Sequence, residues 1–114
     1  MEATEKEVVP YVAPDGKIPF FLWMDTIKDR QITKIIISRL DRVQAGNYGD
    51  YKSVGGGVFE LRFKIGIGIY FAEYENTVVI LFHGGNKSSQ AKDVAKAKEY
   101  WNELKSREQE VDHD

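Results

Sequence analysis

The sequence predicts a single α+β domain, and three features carry that expectation. Ile32, Ile35, Ile36, Leu40 and Val43 recur at three- and four-residue spacing, the mark of a helix with one apolar stripe. From Val58 to Ile65 the pattern switches to strict alternation, Phe59, Leu61, Phe63 and Ile65 against Glu60, Arg62 and Lys64, the mark of a half-buried strand. A helical spacing then returns through Ala91, Val94, Ala95, Lys98 and Trp101. A length of 114 residues suits one domain, residues 1–114, with an ordered core expected over about 5–105 and acidic, flexible ends.

Each element has a local reason. Lys6 to Val12 is a short strand that Pro10 places at a sheet edge. Pro14-Asp15-Gly16 is a turn. Pro19 suits the first turn of a helix running to about Lys28. Asp29 caps a second helix that ends near Ala45, where Gly46 takes the stop position. With so short a connection the two helices form a hairpin. Four strands follow, at Asp50–Val54, Val58–Ile65, Ile67–Glu73 and Thr77–Phe82, with turns at Gly55-Gly56-Gly57 and Glu75-Asn76. Val78 to Phe82 is apolar on both faces and is expected to be central and covered on both sides. His83 to Ser89 reads as a loop, with Ser88 or Ser89 capping a last helix that reaches about Lys105. The expected order is β-α-α-β-β-β-β-α, with an antiparallel meander.

Composition narrows the function. An apolar share of 42% is that of a globular chain, not of a disordered one. The absence of cysteine excludes disulfides, thiolate metal sites and cysteine nucleophiles, and fits a reducing, cytoplasmic setting. No apolar run suits a signal peptide or a membrane span, so no membrane association is expected. The net charge of −2 conceals a basic body: residues 17–107 carry 15 Lys and Arg against 10 Asp and Glu, while the two ends hold the remaining eight acids and one lysine. A basic body can bind phosphate locally despite a low overall pI.

The candidate site lies on the polar face of the meander. Alternation makes Glu60, Arg62 and Lys64 point together, with Lys52 and Lys87 closing the same groove. Arg39 and Arg42, three apart on the second helix, add two cations. Such a surface suits an RNA backbone. RNA carries its own nucleophile, the 2′-hydroxyl, so a metal-independent cleavage needs a base, a cation for the developing charge and an acid. Glu60 or a lysine of lowered pKa is the candidate base, Arg62 the charge stabiliser, and Lys52 or Lys87 the acid or clamp. Arg39, Arg42 and Lys64 are candidate RNA-binding residues. The residues alone fit better a solvated strand face with Glu60 paired across the ladder, because cross-strand charge pairs are ordinary surface features.

Other signals are weaker. Gly84-Gly85-Asn86-Lys87-Ser88 lacks the spacing of a nucleotide-binding loop. His83 and His113 are too far apart, with no ligand spacing, for zinc. Trp23 and Trp101 fall on apolar helix faces and are expected in the core. No cofactor and no metal are expected.

Residues 20–63, FFLWMDTIKDRQITKIIISRLDRVQAGNYGDYKSVGGGVFELRF, and residues 80–101, ILFHGGNKSSQAKDVAKAKEYW, resemble the HigB-like branch of the RelE/ParE toxin superfamily, the phage-derived addiction-module killer proteins. The marks are DRQ opening the second helix, the RLDR–GN–GD–K–V–G run, GVFELR, and GGNKSSQAKD before the last helix; together they cover about residues 18–101. The resemblance implies a RelE-like fold and a toxin paired with a helix-turn-helix antitoxin. It also implies mRNA cleavage, often on the ribosome, or gyrase inhibition as in the ParE branch. One departure concerns activity. Where the family reads G-P-G-Y-R-V-Y-F, this chain has Gly66-Ile67-Gly68-Ile69-Tyr70-Phe71, two residues shorter and without the RNA-facing arginine. An endoribonuclease toxin is the first expectation, and a catalytically silent module that still pairs with an antitoxin is the alternative.

Overall fold

The computed structural model describes residues 4–111. It is an α+β fold with one five-stranded mixed sheet and three α-helices. The elements are β1 (Glu7–Pro10), α1 (Pro19–Asp25), α2 (Arg30–Gln44), β2 (Tyr51–Gly55), β3 (Val58–Arg62), β4 (Ile67–Tyr74), β5 (Val78–Asn86), a 3-10 turn (Lys87–Ser89) and α3 (Gln90–Val111). Spatial order across the sheet is β1-β5-β4-β3-β2. β2 to β5 form an antiparallel meander, and β1 pairs in parallel with β5 at the far edge. Pro10 closes that edge strand, as its missing N–H requires.

Local chemistry sets the element ends. The Asp29 carboxylate accepts from the Gln31 N–H at 2.8 Å and caps α2. At the other end Gly46, with φ +89°, donates to the Val43 carbonyl and Asn47 to the Arg42 carbonyl, both at 2.8 Å, the paired bonds of a Schellman stop. Glu75 and Asn76, with φ of 51° and 62°, make the β4–β5 turn.

Several boundaries differ from the sequence expectation: β1 is Glu7–Pro10 instead of Lys6 to Val12, α1 ends at Asp25 instead of near Lys28, and three further differences shape the site. β3 ends at Arg62 instead of Ile65, because Lys64 and Ile65 form a turn closed by Gly66 N–H donating to the Phe63 carbonyl at 3.0 Å. β5 continues through His83, Gly84 and Gly85 to Asn86, where a loop was expected. α3 runs on to Val111, past Lys105, and the 3-10 turn before it is capped by Asn86, whose side chain accepts from the Ser88 N–H at 3.0 Å. The outermost acids Glu2, Asp112 and Asp114, and with them His113, lie outside the described residues.

The sheet is covered on both faces. α1 and α2 pack on one side around Phe20, Ile36, Val43, Leu61, Ile69, Phe71 and Leu81, with Trp23 against them. α3 packs on the other around Tyr11, Val58, Tyr70, Ile80, Phe82 and Ala97, with Trp101 against them. Each such fully buried aliphatic or phenyl side chain contributes about 1.5–3 kcal/mol. Tyr11 ties α3 down at its far end by donating to Glu103, while Arg107 donates to the Val12 carbonyl at 3.0 Å. The Arg107 hydrogen bonds hold the Glu103 carboxyl below its ordinary pKa.

Candidate functional site

Two polar regions emerge from the residues that the sequence singled out, and they are physically different. The first is a cleft of about 420 Å³ at the end of the sheet where α2, the α2–β2 loop and the β3–β4 turn meet. Ile35, Arg39, Arg42, Asn47, Gly49, Asp50, Arg62 and the Phe63–Ile65 segment line it. Four of the seven expected site residues, Arg39, Arg42, Arg62 and Lys64, therefore share one concavity.

Within the cleft the arginines differ in role. Arg42, Arg62 and Lys64 are exposed. Arg62 donates from Nε and Nη2 to one Asp50 carboxylate oxygen, at 3.3 and 3.1 Å. That pair is well solvated, so it orients the guanidinium more than it stabilises the fold. Arg39 is a correction to the sequence reading. It is 8% exposed and donates to three backbone carbonyls: Nε to Tyr48 at 2.9 Å, Nη1 to Arg62 at 2.9 Å and Nη2 to Asp50 at 2.8 Å. It also sits 4.9 Å from the Phe63 ring centroid. Burial, then the nearby Arg42 charge, lowers its pKa from the free value. A guanidinium committed this way braces the loop against β3 and is not free to clamp a phosphate.

The second region is a polar row beneath the start of α3. Register places Lys52, Glu60, Tyr70 and His83 side by side across β2, β3, β4 and β5. Glu60 is 5% exposed. It accepts from Tyr70 Oη at 3.2 Å and from Gln90 Nε2 at 3.2 Å to each oxygen. Burial, followed by the Glu60 carboxylate, pushes the Tyr70 hydroxyl pKa up. A Cβ at Gly68 would stand 2.3 Å from Glu60 Oε2, so that glycine is what lets the carboxylate fold down onto β4. His83 Nε2 lies 2.8 Å from the Asp93 carbonyl, which only accepts, so this nitrogen carries the proton. Ser89 Oγ donates to the Asp93 carboxylate at 2.6 Å, placing an internal anion in the first turn of α3.

Glu60 is the second correction. The expected base is a buried strut, because α3 covers the stretch of the β3 face that the alternation exposed. Lys52, on the edge strand, and Lys87, in the 3-10 turn, are exposed but line no part of the cleft that holds Arg62. The expected convergence of Lys52, Arg62 and Lys87 on one pocket is absent. Asp50, Asn47 and Gly49 entered only as marks of the resemblance and not as site residues. Their signal was present in the Gly46-Asn47 and Gly49-Asp50 pairs, turn residues of the loop whose Tyr48 and Asp50 carbonyls accept from Arg39. Among the described residues no group of three His, Asp or Glu is placed to hold a metal ion, and no helix is long and apolar enough to cross a membrane.

Fold and cleft define a small α+β protein with one cationic, partly apolar concavity beside a buried polar lock. The chain is 41% identical over 83 residues to an uncharacterized protein of Haemophilus influenzae (strain ATCC 51907 / DSM 11121 / KW20 / Rd), a match covering 71% of this chain and 84% of that protein. It belongs to the family of that protein. No protein-family model matches the chain.

Proposed function

We propose that this chain is a RelE-like toxin-type protein of the HigB branch that binds an RNA backbone at the Arg42–Arg62–Lys64 cleft and pairs with a helix-turn-helix antitoxin. One observation supports the binding surface above others: three exposed cations share a concavity whose one carboxylate, Asp50, is already engaged by Arg62. Phosphates at this surface release counterions, which makes the affinity salt-dependent. The toxin assignment rests on the motif runs at residues 20–63 and 80–101.

Whether binding leads to cleavage turns on Glu60. Its burial and its bonds to Tyr70 and Gln90 favour a second reading, in which the module binds RNA and antitoxin without cutting. Expression without antitoxin separates the two. Growth arrest with mRNA cleavage, relieved by Arg62→Ala, supports the toxin. RNA binding by the purified protein with intact transcripts supports the silent module. No RNA binding in filter retention at low salt overturns both.

A further inference from the structure

We propose that the open edge of β5 from His83 to Asn86 takes up an extended peptide of a partner protein as an added strand, with an apolar side chain beside Trp23 and an acidic one at Lys92. The proposal stands apart from the RNA reading, because none of the residues around this edge lines the Arg62 cleft. β5 has nine residues, but β1 pairs only with Val78 to Leu81, and its strand run ends where the Tyr11 N–H donates to the Leu81 carbonyl at 2.8 Å. Beyond Leu81, β4 keeps pairing with β5 as far as Asn86, and among the described residues no backbone bond reaches that stretch from the other side. The Asn86 carbonyl accepts from Ser89 Oγ at 3.3 Å, which closes the stretch at its end. Every second residue of a strand turns its N–H and C=O away from a given neighbour. A row of such groups at strand spacing is matched by another extended backbone.

The two faces beside this edge supply the second half of the argument. An added strand sends alternate side chains to opposite faces, and here each face has a receptacle. On the α1 side, Trp23, Ile27, Ile32 and Ile67 line a concavity of about 520 Å³ next to Gly84 and Gly85. On the α3 side, a concavity of about 450 Å³ lies between His83 and the Lys92, Lys96 and Glu99 side of the helix. Asp93 borders both, so the two meet along the strand. The glycines shape this trough: a Cβ at Gly84 would collide with the Trp23 ring, and one at Gly85 with the Asp93 carboxylate. Side-chain chemistry distinguishes the two receptacles. On the α1 side Lys28 and Asp29 are both exposed and opposite in charge, which leaves the apolar walls to choose the occupant. On the α3 side the Asp93 carboxylate is taken by Ser89 Oγ at 2.6 Å and Glu99 by Lys96 at 3.5 Å. Lys92 is exposed and, among the described residues, has no carboxylate at ion-pair distance. That surplus cation selects an acid at the position facing it.

The test uses the whole protein with isotope-labelled backbone amides, titrated with a short capped peptide of alternating leucine and glutamate. Two control peptides are the same sequence with N-methylated amides and one of alternating leucine and lysine. The amide signals of His83 to Asn86 are expected to shift with the leucine–glutamate peptide, and their hydrogen exchange to slow. N-methylation is expected to weaken binding at least about tenfold, because it removes the main-chain donors. Lys92→Glu, at an exposed position, is expected to weaken the leucine–glutamate peptide and to favour the leucine–lysine one, with the unliganded spectrum otherwise in place. Equal binding of the N-methylated peptide overturns the added strand. An unchanged preference in Lys92→Glu overturns the acid at that position. Shifts at the other edge, Tyr51 to Gly55, or no shift at all, overturn the proposal. Concentration-dependent sedimentation of the protein alone, with the His83 to Asn86 signals changing alongside, assigns the edge to a second copy of the chain and overturns it too. Each of these failures leaves RNA binding at the Arg62 cleft untouched.

Discussion

Glu60 and Arg62 lie two residues apart on one strand and meet opposite surroundings. Glu60 sits under Gln90 and against Tyr70, 5% exposed, with its oxygens accepting hydrogen bonds from both. Arg62 stands at the strand end, where α3 no longer covers the sheet, its side chain 46% exposed and touching Asp50. Alternation along a strand decides which face a side chain takes. What covers that face decides whether the charge is a structural strut or a site. α2 repeats the contrast: Arg39 and Arg42 are three apart, yet one is committed to backbone carbonyls and the other faces solvent.

The difference predicts that the two kinds of residue fail in different measurements. The largest effect is expected from Arg39→Ala. Loss of three charged hydrogen bonds to carbonyls is expected to cost roughly 3 kcal/mol or more in urea unfolding. Arg39→Lys is expected to recover little of it, because an ammonium lacks the planar fork. An Arg39→Ala protein as stable as wild type would break the distinction between brace and site.

Next comes Glu60→Ala, which leaves the buried Tyr70 hydroxyl without its acceptor and is expected to cost about 1–3 kcal/mol. Glu60→Gln keeps an acceptor and is expected to cost less than about 1 kcal/mol. Neither change is expected to alter RNA affinity at matched stability. A smaller effect appears only at alkaline pH. Burial pushes the hydroxyls of Tyr11, Tyr48 and Tyr70 above the value of about 10 for an exposed tyrosine. With folded values above the unfolded one, their contribution is complete below about pH 10 and is lost as pH rises, because the unfolded chain ionises first. Urea midpoints measured on either side of that pH are expected to fall with rising pH, and Tyr70→Phe is expected to flatten the decline. The smallest stability effects belong to Arg42→Ala and Lys64→Ala, expected within about 0.5 kcal/mol of wild type.

The sequence carried much of this fold because its strongest signals are local. The Asp29 cap, the Gly46 stop and the Glu75-Asn76 turn each depend on residues within a few positions, and each stands where the sequence placed it. The site was less legible, because its character depends on contacts distant in sequence. Glu60 was read as solvent-facing because nothing near it announces Gln90, thirty residues on. Arg39 was read as a free cation because its partners, the carbonyls of Tyr48, Asp50 and Arg62, carry no side-chain signature. The grouping of Arg42, Arg62 and Lys64 was partly legible, yet the β3–β4 turn, not a strand register, brings Lys64 to the cleft.

The salt dependence of RNA affinity tests the cleft most directly. For a single strand, the slope of log affinity against log salt changes by about 0.7 for each phosphate contact removed. Arg42→Ala and Lys64→Ala are each expected to shrink the slope by about that amount, while Lys52→Ala and Lys87→Ala leave it unchanged. Slopes that shrink with Lys52 and Lys87 but not with Arg42 and Lys64 would move the RNA out of the cleft and contradict the account.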